Sequence, residues 1–269
     1  MSEPGEVDPR FPVEAHFAQR GEFEVATTSV SDDGGRATYE IFYPRPLGRD
    51  GGRHPMVTWG NGTAAQPRQY PGVLHQLASW GMVVVASTSK RTGKGHQMLE
   101  GVHHLLREHQ DRGSVFFDQL DGARVGAVGH SQGAGGSVNA TILSDGLITT
   151  TVPICLPNER WVSKGDEYDV AALGSSVLFL GGGRDRIIAG PGTLRDFYAR
   201  AHAPAGVALL RGAGHKRIQK SGGGYLGYLT AWLRFQLFDD QLARQAFAVE
   251  DPEFLRNPAW QSQGLKLSA

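Results

Sequence analysis

Gly129-His130-Ser131-Gln132-Gly133 sets a serine between two glycines, directly after the apolar run 125–128 and before the small residues Ala134, Gly135 and Gly136. A G-x-S-x-G at the end of a strand reads as a nucleophile elbow, a sharp strand-to-helix turn whose glycines let two backbones approach where a Cβ would collide. Because 37 of the 269 residues are glycine, chance alone supplies roughly 0.3 such matches, so partners must carry the reading. A serine hydroxyl needs a base within hydrogen-bond reach and a group that orients that base. In the strand-elbow-helix context the order is serine, then an acid, then histidine. Asp185 follows the apolar run 177–180 through Gly181-Gly182-Gly183-Arg184, and His215 follows the run 207–210 through Arg211-Gly212-Ala213-Gly214. Both therefore fall at the carboxyl end of a strand, where a parallel sheet collects its functional groups. Asp166 and Asp169 are rival acids in a polar loop with no strand before them. His103 and His104 are adjacent in a helix, so neither has the i, i+4 partner of a helical metal site.

Ser131 is thus expected as nucleophile, His215 as base and Asp185 as orienting acid. The chemistory of acyl transfer also needs donors for a developing oxyanion. One is expected from the backbone N–H of Gln132, the residue after the serine. The other should come from the loop Trp59-Gly60-Asn61-Gly62-Thr63-Ala64, whose glycines let it fold close to a carbonyl. The Thr63 N–H is favoured, with Asn61 or Gly62 supplying the donor if the loop turns differently, and the Asn61 side chain instead bridging loops.

These residues require elements that bring them together. Segments 23–29 and 37–43 alternate in character around Ser31-Asp32-Asp33-Gly34-Gly35, which predicts an antiparallel hairpin with one wet face. Short continuous apolar runs follow at 56–59, 82–86, 125–128, 152–155, 177–180 and 207–210, as suits strands covered on both faces. Tyr70, Leu74, Leu77 and Ala78, then Met98, Leu99, Val102, Leu105 and Leu106, repeat at helical spacing. Segments 132–143, 191–201 and 225–238 supply further helices. The alternation predicts one α/β domain over residues 1–269, with a mostly parallel sheet, an N-terminal hairpin and helices on both faces. Residues 1–20 and 250–269 read as surface arms.

Composition bounds the partners. Lys plus Arg and Asp plus Glu both number 27, which is not the footprint of a nucleic-acid binder. No apolar run is long enough to span a bilayer. The acidic, proline-bearing first twenty residues are unlike a signal peptide, so the expected location is cytoplasmic, or secreted if a leader was removed before residue 1. Cys155, the one cysteine, excludes an internal disulfide and is expected as a buried strand thiol. Oligomeric state leaves no mark on the sequence.

With these residues in place the chain resembles the α/β-hydrolases, and more narrowly the cutinase-like polyester hydrolases, over nearly its whole length. The likeness rests on Gly62-Thr63-Ala64, on Leu77-Ala78-Ser79-Trp80-Gly81-Met82-Val83-Val84 and on Gly129-His130-Ser131. It extends through Arg184-Asp185-Arg186-Ile187-Ile188, Gly212-Ala213-Gly214-His215 and Ala231-Trp232-Leu233-Arg234. It implies an α/β-hydrolase fold with little or no lid, and a Ser-His-Asp carboxylesterase working through an acyl-enzyme without metal or organic cofactor. The implied substrates are short-to-medium acyl esters, extending to aromatic polyesters such as polyethylene terephthalate or cutin. Gly62 and Trp161 are implied in substrate binding, Thr63 and Gln132 in the oxyanion hole. The chain departs from the polyester-degrading members at Thr63, where they usually carry an aromatic, and at Gln132, where they usually carry Met. It also lacks the cysteines for their C-terminal disulfide. Segment 153–174 is too short for a helical cap, so the site is expected to be uncovered.

Two other readings compete. Gly60-Asn61-Gly62-Thr63-Ala64-Ala65 fits G-x-G-x-x-A, and Lys90-Arg91 would receive a ribose phosphate, as in an NADP-binding oxidoreductase; Pro67 and Pro71 interrupt the helix start that this needs. The other is a hydrolase-like protein that binds a small molecule without turnover.

Overall fold

A computed structural model describes residues 8–267. In chain order the elements are α1 (Pro12–Ala18), β1 (Glu24–Ser31), β2 (Ala37–Arg45), β3 (His54–Gly60), α2 (Pro71–Ser79), β4 (Val83–Ser87), α3 (His96–Gln110), β5 (Leu120–His130) and α4 (Gln132–Leu143). They continue as β6 (Thr150–Ile154), β7 (Ser176–Gly182), α5 (Pro191–Arg200), β8 (Ala205–Leu210), α6 (Leu226–Phe238), the single turns α7 (Gln241–Arg244) and α8 (Glu253–Arg256), and β9 (Trp260–Lys266). The strands form one sheet in the order β1-β2-β4-β3-β5-β6-β7-β8-β9. Pairing is parallel from β4 through β8 and antiparallel at β1-β2, β2-β4 and β8-β9.

The apolar runs are central because both of their faces are covered. Along β4, Val83 and Val85 pack with Met98, Val102 and Leu105 of α3, while Val84 and Ala86 turn to the other face with Leu74 and Leu77 of α2. On β5, Val125 and Ala127 share the α3 side and Val128 the opposite one. A strand buried on both faces needs no polar alternation, which is why these segments read as continuous apolar runs. In the hairpin, no residue of β1 is fully buried, whereas β2, which pairs with β4, buries the neighbours Ile41 and Phe42 in the two separate core clusters. Between β6 and β7 lie only irregular chain and two short 3-10 turns, with no large lid insertion.

The chain ends correct the sequence reading. Residues 1–7 and 268–269 lie outside the described residues, but the rest of the expected arms is built into the core. Val13 and Phe17 of α1 are buried against α6. β9 closes the sheet on β8, with Trp260 buried. Each end carries a few large apolar side chains in a polar sequence, and burying them outweighs the entropy of ordering a short terminal element.

The same junction holds a buried acid. Glu14 accepts hydrogen bonds from Trp260 Nε1 at 2.6 Å and Asn257 Nδ2 at 2.5 Å. Glu253 beside it accepts from the backbone N–H groups of Val13 and Glu14 at 2.8 Å each. Burial, against those two donors and helped by the Glu253 charge, pushes the Glu14 carboxyl from its ordinary 4.5 up to about 7. The folded state therefore holds this proton more tightly than the unfolded chain. Its stabilising effect is complete below pH 4.5 and is lost as pH rises through about 7. Urea unfolding at pH 5 and pH 8 should show wild type losing on the order of 2 kcal/mol more than Glu14→Gln over that interval. Equal losses in the two proteins would contradict the assignment.

Candidate active site

Ser131 sits between β5 and α4 at φ +56 and ψ −121, a conformation that L-residues rarely adopt. Two glycines make the turn sterically possible. A Cβ on Gly129 would lie 1.9 Å from the Gly133 carbonyl oxygen, and one on Gly133 would lie 2.2 Å from the Gly60 backbone. The strained turn sets the hydroxyl at the sheet's carboxyl edge, with 9 % of the residue exposed and lining a cleft.

Asp185 and His215 arrive at that edge from the loops after β7 and β8. Ser131 Oγ is 2.8 Å from His215 Nε2, and His215 Nδ1 is 2.5 Å from Asp185 Oδ2. An ionised carboxylate only accepts, so Nδ1 carries the imidazole proton and Nε2 is left to accept from the serine hydroxyl. Burial opposes ionisation of Asp185, but the hydrogen bond and charge of His215, with the Ile188 and Ala189 N–H groups, outweigh it and hold the carboxyl below its usual range. The acid is therefore a carboxylate at neutral pH. Neither rival acid bonds His215: Asp169 caps a 3-10 turn by accepting from the Ala171 N–H, and Asp166 accepts from Gln132 Nε2 at 2.9 Å.

The loop after β3 is folded by its own side chains. Asn61 bridges loops, as the sequence suggested for its side chain: Nδ2 donates to the Ser87 carbonyl at 2.5 Å and Oδ1 accepts from Trp59 Nε1 at 3.1 Å. The Gly62 N–H donates to Tyr70 Oη at 3.1 Å. Among the described residues the N–H groups of Thr63 and Gln132 have no acceptor. A buried donor already bonded is a poor oxyanion ligand, so of Gly62 and Thr63 the geometry favours Thr63. Gly60 is used by the elbow, since a Cβ there would strike Gly133. The apparent dinucleotide fingerprint thus serves loop-to-helix packing, and the helix after it starts only at Pro71.

Sequence reasoning missed a chain of buried hydrogen bonds behind these groups. His130 Nε2 is 2.8 Å from the His215 carbonyl, which only accepts, so Nε2 carries the proton. His130 Nδ1 then accepts from Tyr70 Oη at 3.0 Å, and Tyr70 in turn receives the Gly62 N–H. Burial, with the neighbouring His215 next, pushes His130 down to about 3, so it stays neutral. One tyrosine and one histidine thereby tie the β3 loop, the elbow and the base-bearing loop together. Tyr70 carries no motif; a helical period marks it as core, not as a link. Tyr70→Phe should remove the donor to His130 and the acceptor for Gly62, lowering stability by about 2 kcal/mol. It should also lower kcat about tenfold with little change in KM, measured on a p-nitrophenyl ester; an unchanged kcat would show that the chain does not position the site.

Cys155 is buried, but one residue past β6 at φ +51 rather than within the strand. Its thiol is pushed up to about 12, chiefly by burial, so it is not a nucleophile at neutral pH. Its sulfur and ring nitrogens of His130 and His215 lie within 4.8 Å of one another. This donor set does not fit a metal: both nitrogens of each histidine are already hydrogen-bonded, and the thiol holds its proton.

A cleft of about 150 Å³ opens beside Ser131, bounded by Thr63, Gln132, Trp161, Asp166 and Tyr168. Trp161 is half-exposed there, its Nε1 donating to the Ile187 carbonyl at 2.9 Å. Asp166 and Tyr168 were not expected at the cleft; the only sequence signal for them is that their loop leaves β6, the neighbour of the elbow strand. Gly62 lies behind Thr63 and is buried. Among the described residues no helix is long and apolar enough to cross a membrane.

A family model described as PET hydrolase-like (PETase) matches residues 2–263. No curated protein matches the chain.

Proposed function

The chain belongs to the PET hydrolase-like family, whose activity is ester hydrolysis, and on that premise we propose that it is a single-domain serine carboxylesterase using Ser131, His215 and Asp185. The observation that carries this reading is the hydrogen-bonded series from Ser131 Oγ through the His215 ring to Asp185, at 2.8 and 2.5 Å.

As Oγ attacks the ester carbonyl, His215 Nε2 takes the serine proton, and Asp185 stabilises the imidazolium that forms. The tetrahedral oxyanion is held by the N–H groups of Thr63 and Gln132, which have no other acceptor among the described residues to give up. Collapse expels the alcohol, which receives the proton from Nε2. Water then attacks the acyl-enzyme with the same imidazole as base, and the carboxylic acid leaves. Each proton lost by a nucleophile returns to a leaving group, so the cycle closes without a redox partner.

Gly62 and Trp161 are proposed substrate-side residues, the first by setting the Thr63 N–H and the second as a wall of the cleft. The open site suits short-to-medium acyl esters. With Thr63 at the mouth there is no aromatic clamp from the β3 loop, which favours soluble esters over an aromatic polymer chain.

Treatment with a fluorophosphonate probe tests the nucleophile directly. One equivalent should attach at Ser131, seen by peptide mass, and loss of p-nitrophenyl butyrate hydrolysis should track labelling. A labelled residue other than Ser131, or full activity after stoichiometric labelling, would overturn the reading.

A further inference from the structure

The cleft beside Ser131 carries a charge that ester hydrolysis itself does not need. Asp166 is half-buried there, and its carboxylate receives one side-chain donor, Gln132 Nε2 at 2.9 Å on Oδ2. Among the described residues no Lys or Arg pairs with it. The Lys94 ammonium lies against Gly165 next door without joining it. Gln132 cannot be turned around, because its carbonyl would then face the carboxylate. Two aromatic rings, Trp161 and Tyr168, line the same cleft. Tyr168 is fixed by donating its hydroxyl to the Pro157 carbonyl, and it keeps that proton because burial raises its pKa.

A carboxylate in no ion pair among the described residues, in a cleft lined by two aromatic side chains, is the chemistry that recognises an ammonium group, through a charge-assisted hydrogen bond and cation–π attraction. It repels a second carboxylate and offers nothing to a distal ester, which has acceptors only. We infer that Asp166 is a specificity-determining residue that selects esters whose acyl chain bears an ammonium group, with Trp161 and Tyr168 flanking that group and Gln132 fixing the carboxylate. The inference rests on the Ser131 esterase reading above.

The test uses ethyl esters of ω-amino acids of two to six carbons. Each is paired with the alkanoate ester in which a methyl group replaces the ammonium. For wild type, kcat/KM at neutral pH should favour the ammonium ester about tenfold at the chain length that reaches Asp166. In Asp166→Asn, an isosteric change, that ratio should fall to about one or below. Because the ratio is taken within each protein, any loss from a shifted Gln132 cancels. Alkanoate hydrolysis without ammonium preference at any length, or a preference that survives Asp166→Asn, would overturn this inference while leaving the esterase reading standing. No hydrolysis of any pair, together with no fluorophosphonate labelling of Ser131, would instead overturn the esterase reading beneath it.

Discussion

Ser131→Ala is expected to lower kcat for p-nitrophenyl butyrate by about 10⁴-fold or more. The substitution removes one oxygen and nothing that holds the site. His215 keeps Asp185, its backbone carbonyl keeps the hydrogen bond from His130 Nε2, and the Thr63 and Gln132 N–H groups stay in place. What is lost is the covalent route, leaving direct attack by water on a carbonyl still polarised by two donors. Ala at φ +56 is strained as serine is, so the elbow gains or loses little by the exchange. Thermal unfolding and circular dichroism should therefore match wild type within a few degrees. Residual turnover within tenfold of wild type, in a folded variant, would mean that another group attacks.

Asp185→Asn should cost about as much, near 10⁴-fold in kcat, by a different cause. The carboxylate accepts the His215 Nδ1 proton at 2.5 Å and so dictates which nitrogen faces Ser131. Asn can turn its Nδ2 toward His215. The imidazole proton then moves to Nε2, where it points at the serine oxygen and cannot accept the serine proton. The amide oxygen still serves the Ile188 N–H, which reaches Asp185 Oδ1 at 3.3 Å, so the loop should keep its shape. A diagnostic sign lies in pH. With the base tautomer wrong, the remaining activity should climb with hydroxide, because the imidazole no longer takes the serine proton. Activity that does not climb with hydroxide, with kcat reduced less than tenfold, would remove Asp185 from the mechanism.

The contrast with Tyr70→Phe is informative about scale. Losing the tyrosine hydroxyl should loosen three loops by a fraction of an ångström, a tenfold matter, whereas losing the base tautomer abolishes a step. The Glu14 effect lies on the far side of the sheet's function and concerns stability only.

Much of this was legible in the sequence because it is local. Ser131, Asp185 and His215 each follow an apolar strand within five residues, and parallel strands deliver such loops to one edge whatever the rest of the chain does. Strands covered on both faces announce themselves as apolar runs, and helices by their period, so the α/β alternation needed no coordinates. The tertiary structure decided what depends on distant pairing. α1 and β9 were hidden because their fully buried apolar side chains are just Val13, Phe17 and Trp260, and that burial is rewarded only once α6 and β8 exist to receive them. Glu14 defied the rule that charges stay outside because its donors come from residues 257 and 260, across the whole chain. Likewise Asp166 looked like a loop acid until its loop was folded over Gln132, and Tyr70 like core until its hydroxyl was seen to join Gly62 to His130. A sequence fixes the type and order of its groups through nearest-neighbour physics. Which polar atoms meet across long loops is set by packing, since a hydrogen bond closes only when both ends are held within about 3 Å.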